Sequence, residues 1–330
     1  MKCVGHDHGF CGIEMFRNAK KHYIKDILQL KKSTMPESVG IIGLGRVGLE
    51  AAKAYLRDGF EVLGCDISPI ALKAFRSAGG VALRTPREIA RRASVIMVMV
   101  LDDAQVIEVV HGENGILSEV KNGATVICMS TIHQHTIESV SKRCREKNTA
   151  FVDCPFTGGP ARIPSRTLTL IAAAPEELLE RVRPILEVIG NIIYAGPTPG
   201  MGQAIKHCNQ LLVGVTQAAT MEVITLARKL GIDPALVATV VGSGIAGSDY
   251  FRLLSDSVIN KKPSPGGLGQ MCKDMAIVES TLRNNGMKAS VAIAASAYFS
   301  EALNMGMSKG EGGDLIHVVE KLSDTTHPEA

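Results

Sequence analysis

An α/β protein with a doubly wound, mostly parallel sheet followed by an all-helical C-terminal part is predicted by three observations. Short apolar runs alternate with helix-forming stretches from Val39 to Tyr194, the pattern of a largely parallel sheet covered on both faces. A glycine loop, Gly43-Leu44-Gly45-Arg46-Val47-Gly48, joins the first apolar run to the first helical one. Beyond about Gly200 strand signals cease and long helical patterns take over.

Val39 to Ile42 reads as a strand that runs straight into the glycines. Gly43 makes the tight turn, Gly45 lets backbone approach a pyrophosphate, and Gly48 lets helix and strand pack closely, which is the Rossmann dinucleotide fingerprint. The helix formers of Leu49 to Arg57 follow, and their N-terminus would turn unpaired N–H groups toward the phosphates. After Asp58-Gly59, Phe60 to Cys65 reads as a second strand ending at Asp66. That lies about twenty residues past the loop, where an acidic side chain accepts the ribose 2′-OH. Asp66 is followed by Ile67 and Ser68, with no guanidinium for a 2′-phosphate, so NAD is favoured over NADP.

Further strands are expected at Val81 to Leu83, Val95 to Leu101, Thr125 to Met129, Ala150 to Val152, Thr167 to Ala172 and Ile192 to Tyr194. Helices between them include Pro86 to Ala93, Ile132 to Lys147 and Glu176 to Ile189. A long helix over Gly200 to Leu230 ends at Gly231, and Asp233-Pro234 supplies a cap and a first-turn proline for the next. Helical patterns then cover Leu268 to Asn284, Ala289 to Met305 and Asp314 to Leu322. The division expected is an N-terminal extension over 1–37, a dinucleotide-binding domain over 38–199 and a helical substrate and oligomerisation domain over 200–330.

Composition narrows the function. The 330 residues are 45% hydrophobic, enough for a sizeable core. A net charge of +3, no Trp and 4% aromatic residues argue against a nucleic-acid partner. No uninterrupted apolar run reaches the ~20 residues that span a bilayer. Eight cysteines without a CxxC pair suggest reduced thiols and a cytoplasmic enzyme. Within 1–37, Cys3, His6, His8 and Cys11 are chemically plausible zinc ligands, but their spacing matches no common zinc module. The segment is read as a mobile leader without a metal site, and its acids Asp7, Glu14 and Asp26 argue against a transit peptide.

Two more signals carry chemistry. In Asp153-Cys154-Pro155-Phe156-Thr157-Gly158-Gly159, Thr157 offers a hydroxyl, and Gly158 and Gly159 offer bare amides that suit a carboxylate; a plain glycine turn is the alternative. In the run from Gly200 to Gln210, Lys206, Asn209 and Gln210 share one helix face. Ile205, Cys208, Leu211, Leu212 and Val215 mark that helix as largely buried, and a buried lysine needs a partner.

From about Ser38 to Leu322 the chain resembles the β-hydroxyacid dehydrogenase family, which includes 3-hydroxyisobutyrate dehydrogenase and tartronate semialdehyde reductase. The family's Asp-x-Pro-Val-Ser-Gly-Gly motif is matched by Asp153 to Gly159, with Thr157 in the serine's place. Its Gly-x-Gly-x-x-x-Lys-x-x-Asn motif is matched by Gly200 to Asn209, and Asn209-Gln210 resembles the reductase branch. Ser130-Thr131 matches the pair beside the nicotinamide, Leu101-Asp102 a loop over the cofactor, and Lys273-Asp274 a pair that reaches back to the cofactor cleft. Arg166 stands where the family has a glycine.

The resemblance implies reversible hydride transfer between nicotinamide and a small β-hydroxyacid or its semialdehyde. Lys206 would be the general acid–base, and Thr157, Gly158, Gly159, Asn209 and Gln210 would bind substrate. The glycine loop, Asp66, Ile67, Leu101, Asp102, Thr131 and Lys273 would hold NAD. Alternatives are an imine-reductase type of chemistry, which would lack the Thr-Gly-Gly and Lys-x-x-Asn pair, or a non-catalytic dinucleotide-binding module. Apolar residues over Leu268 to Met305 suggest a homodimer or homotetramer.

Overall fold

The computed structural model describes residues 38–264 and 266–323; the extension with its Cys/His cluster lies outside the described residues. Nine strands form one sheet. In chain order the elements are β1 (Ser38–Ile42), α1 (Arg46–Arg57), β2 (Glu61–Cys65), α2 (Pro69–Ser77), β3 (Val81–Ala82), α3 (Pro86–Ala90), β4 (Val95–Val98) and α4 (Asp103–His111). They continue as β5 (Thr125–Cys128), α5 (Gln134–Glu146), β6 (Ala150–Asp153), β7 (Phe156–Thr157), β8 (Leu168–Ala173), α6 (Glu176–Leu186) and β9 (Gly190–Gly196).

Strands β3, β2, β1, β4, β5 and β6 run parallel in that spatial order, and the chain then doubles back. β6 and β7 both pair antiparallel with β8, and β9 lies parallel to β8. The order reverses between β1 and β4, so the loops after these two strands open a crevice at their carboxyl ends, where ligands bind in such sheets. Buried Ile42, Leu63, Ile96, Val98, Val126, Ile137 and Val140 belong to the core of this part.

Among the described residues no named strand follows Gly196. The chain enters α7 (Met201–Lys229) and then α8 (Pro234–Ser243), α9 (Asp249–Ile259), α10 (Leu268–Asn284), α11 (Ser290–Asn304) and α12 (Leu315–Leu322). α7 packs on each of the others and on β8 and β9. Met221, Ile224, Leu254, Met275, Phe299 and Leu315 centre a second core. By length and composition α7 could cross a membrane, but half of that stretch is buried within the protein.

Several boundaries differ from expectation for local reasons. The helix expected from Ile132 begins at Gln134, because His133 is extended and the backbone of Ser130 to His133 is bonded by side chains from elsewhere. The strand expected to reach Leu101 stops at Val98, since Asp102 caps α4 by accepting from the Gln105 amide at 2.9 Å. Strand β7 has only two residues, too few for a period to show.

Candidate active site

The glycine loop fits a dinucleotide. Gly43 has φ +95°, and a β-carbon there would stand 2.5 Å from the Met99 carbonyl oxygen. At Gly48 one would stand 2.0 Å from the Gly43 oxygen, whereas the space above Gly45 is open. No side chain caps α1, so its first amides remain available to a phosphate. Asp66 is held at the end of β2 by the Leu44 amide at 2.6 Å and the Ser68 amide at 2.7 Å, with Ile67 exposed beside it. Leu101 is exposed across the crevice. Arg46 at the head of α1 faces Glu311 of the helical part, 3.7 Å away.

Lys206 lies on the buried side of α7, 7% exposed. Burial lowers its pKa to about 8; Asp274 opposes the fall and Lys273 adds to it. Its Nζ has no hydrogen-bond partner among the described residues. Around it runs a chain of polar contacts. Asn209 Nδ2 donates to Gln210 Oε1 at 2.9 Å, and Gln210 Nε2 donates to Asp274 Oδ2 at 2.6 Å. Lys273 Nζ donates to the Thr131 carbonyl at 2.5 Å. It also pairs in charge with Asp274 Oδ1 at 2.8 Å, without the alignment of a hydrogen bond. Lys206, Asn209, Gln210, Thr131 and Lys273 are therefore brought into one neighbourhood.

Thr157 ends β7, paired with Thr169 of β8. Gly158 and Gly159 both take positive φ, +115° and +74°, the left-handed region that glycine reaches without strain. The Arg162 side chain lies against Gly158, where a β-carbon would meet its Cδ at 2.6 Å. Sequence reasoning had not singled out Arg162; its signal was a basic residue three positions past the glycine pair. Arg166 adopts φ +57° where a glycine would be at ease, and its guanidinium meets both Asp58 oxygens at 2.9 Å.

Of the five apolar residues expected to be buried on α7, Leu211 and Val215 are half-buried against the helical cores, whereas Ile205, Cys208 and Leu212 are exposed, Leu212 at 65%. Up to Gln217 the buried side of α7 is the polar one, with Gln203, Lys206, His207, Gln210 and Gln217, while Met221 and Ile224 further along are buried apolar residues. His207 is neutral by burial, which lowers its pKa. Its Nε2 lies 2.9 Å from the Ile132 carbonyl, which can only accept, so the proton sits on Nε2. The six described cysteines are free thiols and all but Cys208 are buried.

A dinucleotide crevice beside a buried, unpartnered lysine defines a nicotinamide-dependent oxidoreductase site. The match to known proteins gives the family. Residues 38–196 match the NAD binding domain of 6-phosphogluconate dehydrogenase, and residues 200–319 match the model described as NAD-binding of NADP-dependent 3-hydroxyisobutyrate dehydrogenase. The chain is 30% identical to L-threonate dehydrogenase of Cupriavidus necator over 290 residues, 87% of this chain and 96% of that protein. It is 31% identical to human mitochondrial 3-hydroxyisobutyrate dehydrogenase over 250 residues, 73% of this chain and 74% of that protein. A solved 3-hydroxyisobutyrate dehydrogenase from Salmonella typhimurium superposes with TM-score 0.79 at 28% identity, covering 85% of this chain and 99% of that one. The chain belongs to the β-hydroxyacid dehydrogenase family, whose members are oxidoreductases.

Proposed function

We propose that the protein oxidises a small β-hydroxyacid, or reduces its semialdehyde, with NAD as partner. The observation that carries this reading is Lys206: buried, lowered to about 8, and without a hydrogen-bond partner among the described residues. The glycine loop, Asp66, Leu101, Asp102, Thr131 and Lys273 would hold the dinucleotide, which when bound would supply or accept the hydride. Thr157 and the amides of Gly158 and Gly159 hold the substrate carboxylate, and the Arg162 guanidinium adds positive charge beside them. Lys206 takes the hydroxyl proton during oxidation and returns it during reduction. Gln210, steadied by Asn209, occupies one Asp274 oxygen, and the two amide side chains orient the substrate.

The working division is a dinucleotide-binding part over 38–199 and a helical part over 200–330. We further read the enzyme as cytoplasmic and oligomeric, with no metal, nucleic-acid or membrane partner. NAD is preferred because the Asp66 carboxylate accepts a ribose hydroxyl and repels a 2′-phosphate.

NAD reduction is to be followed with threonate, 3-hydroxyisobutyrate, glycerate and 4-hydroxybutyrate, each with both dinucleotides. Turnover of at least one acid, with higher kcat/KM for NAD, is expected. No turnover of any acid would remove the reading, and a preference for NADP would remove the role given to Asp66.

A further inference from the structure

The three carbonyls of Ser130, Thr131 and Ile132 each accept a hydrogen bond from a side chain of the helical part. Gln203 Nε2 donates to Ser130 at 3.0 Å, Lys273 Nζ to Thr131 at 2.5 Å, and His207 Nε2 to Ile132 at 2.9 Å. Gln203 also accepts from the Ile132 amide at 3.1 Å through Oε1. Its second Nε2 proton goes to Asp153 Oδ1 at 2.9 Å, so the whole amide of this fully buried side chain is committed. Asp153, the last residue of β6, is fully buried too. Its Oδ2 accepts from the Gly200 amide at 2.8 Å and the Gln203 amide at 3.2 Å, and the Gly202 amide also points at the carboxylate. The carboxylate thus caps α7 from another strand, where no side chain of the helix's own end does so.

Gln203, Lys206 and His207 lie at i, i+3 and i+4 on α7, so they share one face. Two of the three grip the backbone that flanks Thr131, and the third is the proton carrier. We propose that Asp153, Gln203 and His207 form a positioning node that fixes the distance between the Lys206 ammonium and the Ser130–Ile132 backbone. This rests on the hydride-transfer reading above, in which that backbone lies at the nicotinamide side. None of the three residues touches substrate in this proposal. They act through Lys206 and through the loop. A node of this kind matters because displacing a reacting group by about 1 Å costs on the order of 10²-fold in rate.

The carboxylate's ionised form suits the four donors it faces. Burial pushes its pKa up to about 6, against the pull of the Gly200, Gln203 and Gly202 donors, so it stays ionised at neutral pH. In Asp153→Asn the shape is kept, but one acceptor oxygen becomes a donor that opposes an N–H.

The test compares wild type, Asp153→Asn and His207→Asn, each assayed well below its own melting temperature. Turnover is measured on the acid that the wild type oxidises best, protonated and deuterated at the reacting carbon. For the node, kcat falls about 10- to 100-fold, the isotope effect on kcat rises because hydride transfer becomes slower than product release, and NAD affinity holds within about threefold. Amide hydrogen exchange over 130–133 also accelerates in both variants. A folded Asp153→Asn with wild-type kcat and isotope effect would overturn the proposal, leaving the carboxylate as a helix cap only. If Asp153→Asn does not fold, His207→Asn decides alone, since it removes one bond to the loop and, besides that, the 2.9 Å contact of Nδ1 with Thr281 Oγ1 on α10. If the wild type oxidises no hydroxyacid, the functional reading fails separately. Unchanged exchange at 130–133 in the variants would then overturn the node without reference to activity.

Discussion

Burial lowers the Lys206 pKa from 10.5 to about 8, with Asp274 resisting and Lys273 assisting, and this has opposite consequences for stability and for catalysis. A lysine with a depressed folded pKa burdens the fold below about pH 8, and the burden fades as pH climbs toward the unfolded value. The shift corresponds to about 3 kcal/mol at neutral pH. Lys206→Met keeps length and apolarity while removing the charge. The variant should therefore melt no lower than wild type at pH 7, with the difference shrinking above about pH 8. Its kcat should drop about 10²- to 10⁴-fold, with NAD binding near normal. In the wild type, oxidation needs the neutral amine, so kcat/KM for the hydroxyacid should rise through about pH 8. Reduction needs the ammonium and should decline over the same range. Melting curves and pH profiles in both directions check this. A variant that retains more than about a tenth of wild-type kcat would remove Lys206 from the chemistry. Lys206 was legible in the sequence because its motif spacing places Asn209 and Gln210 on its own helix face. Asp274 and Lys273 were legible only as a pair, since a contact across 64 or more positions leaves no local pattern.

At the scale of elements, the helix bearing Lys206 was found for partly wrong reasons. Apolar Ile205, Cys208 and Leu212 are expected on the buried side, but in the first half of the helix Gly202, Gln203, Lys206, His207 and Gln210 face inward, and burial follows apolarity from Ala218 through Met221 and Ile224. Hydrophobic periodicity assumes that burial follows apolarity, and here Gln203, His207 and Gln210 turn inward because each has a partner on the sheet loops or on α10, whereas Lys206 has none among the described residues. The strand–loop–helix order at the front of the chain was readable because glycine roles are local. Helices α2, α4 and α9 were passed over although their caps were in view: Ser68, Asp102 and Ser248 each accept from an amide of the first turn. The Gly-x-Gly of the lysine motif now has a physical account. Gly200 opens α7 in the left-handed region at φ +104°, and a β-carbon at Gly202 would stand 2.8 Å from the Ile171 oxygen and 2.9 Å from Asp153 Oδ2. Gly202→Ala must push α7 off the sheet end. It should cost about 1–3 kcal/mol of stability and lower kcat more than it raises KM, because Lys206 rides on the displaced turn. Thermal melts with steady-state kinetics measure both, and an unchanged kcat in a folded variant would mean that α7 tolerates the shift.

For the molecule as a whole, the sheet and the helical part each have their own buried core, yet the helical part leaves apolar side chains in water. The apolar residues expected between Leu268 and Met305 to make an interface divide into two groups, with Tyr298 half-buried between them. Met271, Met275, Val278 and Phe299 are buried within the protein, whereas Val291, Ile293 and Leu303 on α11 are exposed. Sequence could not separate these groups, since both follow the same helical period and only tertiary packing decides which side turns inward. On α8, Leu236 and Val240 are exposed and no residue is buried. Exposed apolar side chains gathered on two helices point to an interaction surface, and a second copy of the chain is the partner we propose, because closed symmetric dimers are the commonest assembly. Sedimentation velocity at micromolar concentration should show a dimer or tetramer. Replacing Val291 and Ile293 with Glu places two charges where the other copy would exclude water, and an unpaired buried charge is strongly unfavourable. That double variant should therefore dissociate to monomer while binding NAD as before, since neither position lies near the glycine loop in sequence or belongs to the crevice. A wild type that sediments only as monomer would overturn the assembly. A double variant that stays associated would move the interface away from α11 and leave the α8 face as the surface to test with Leu236→Glu.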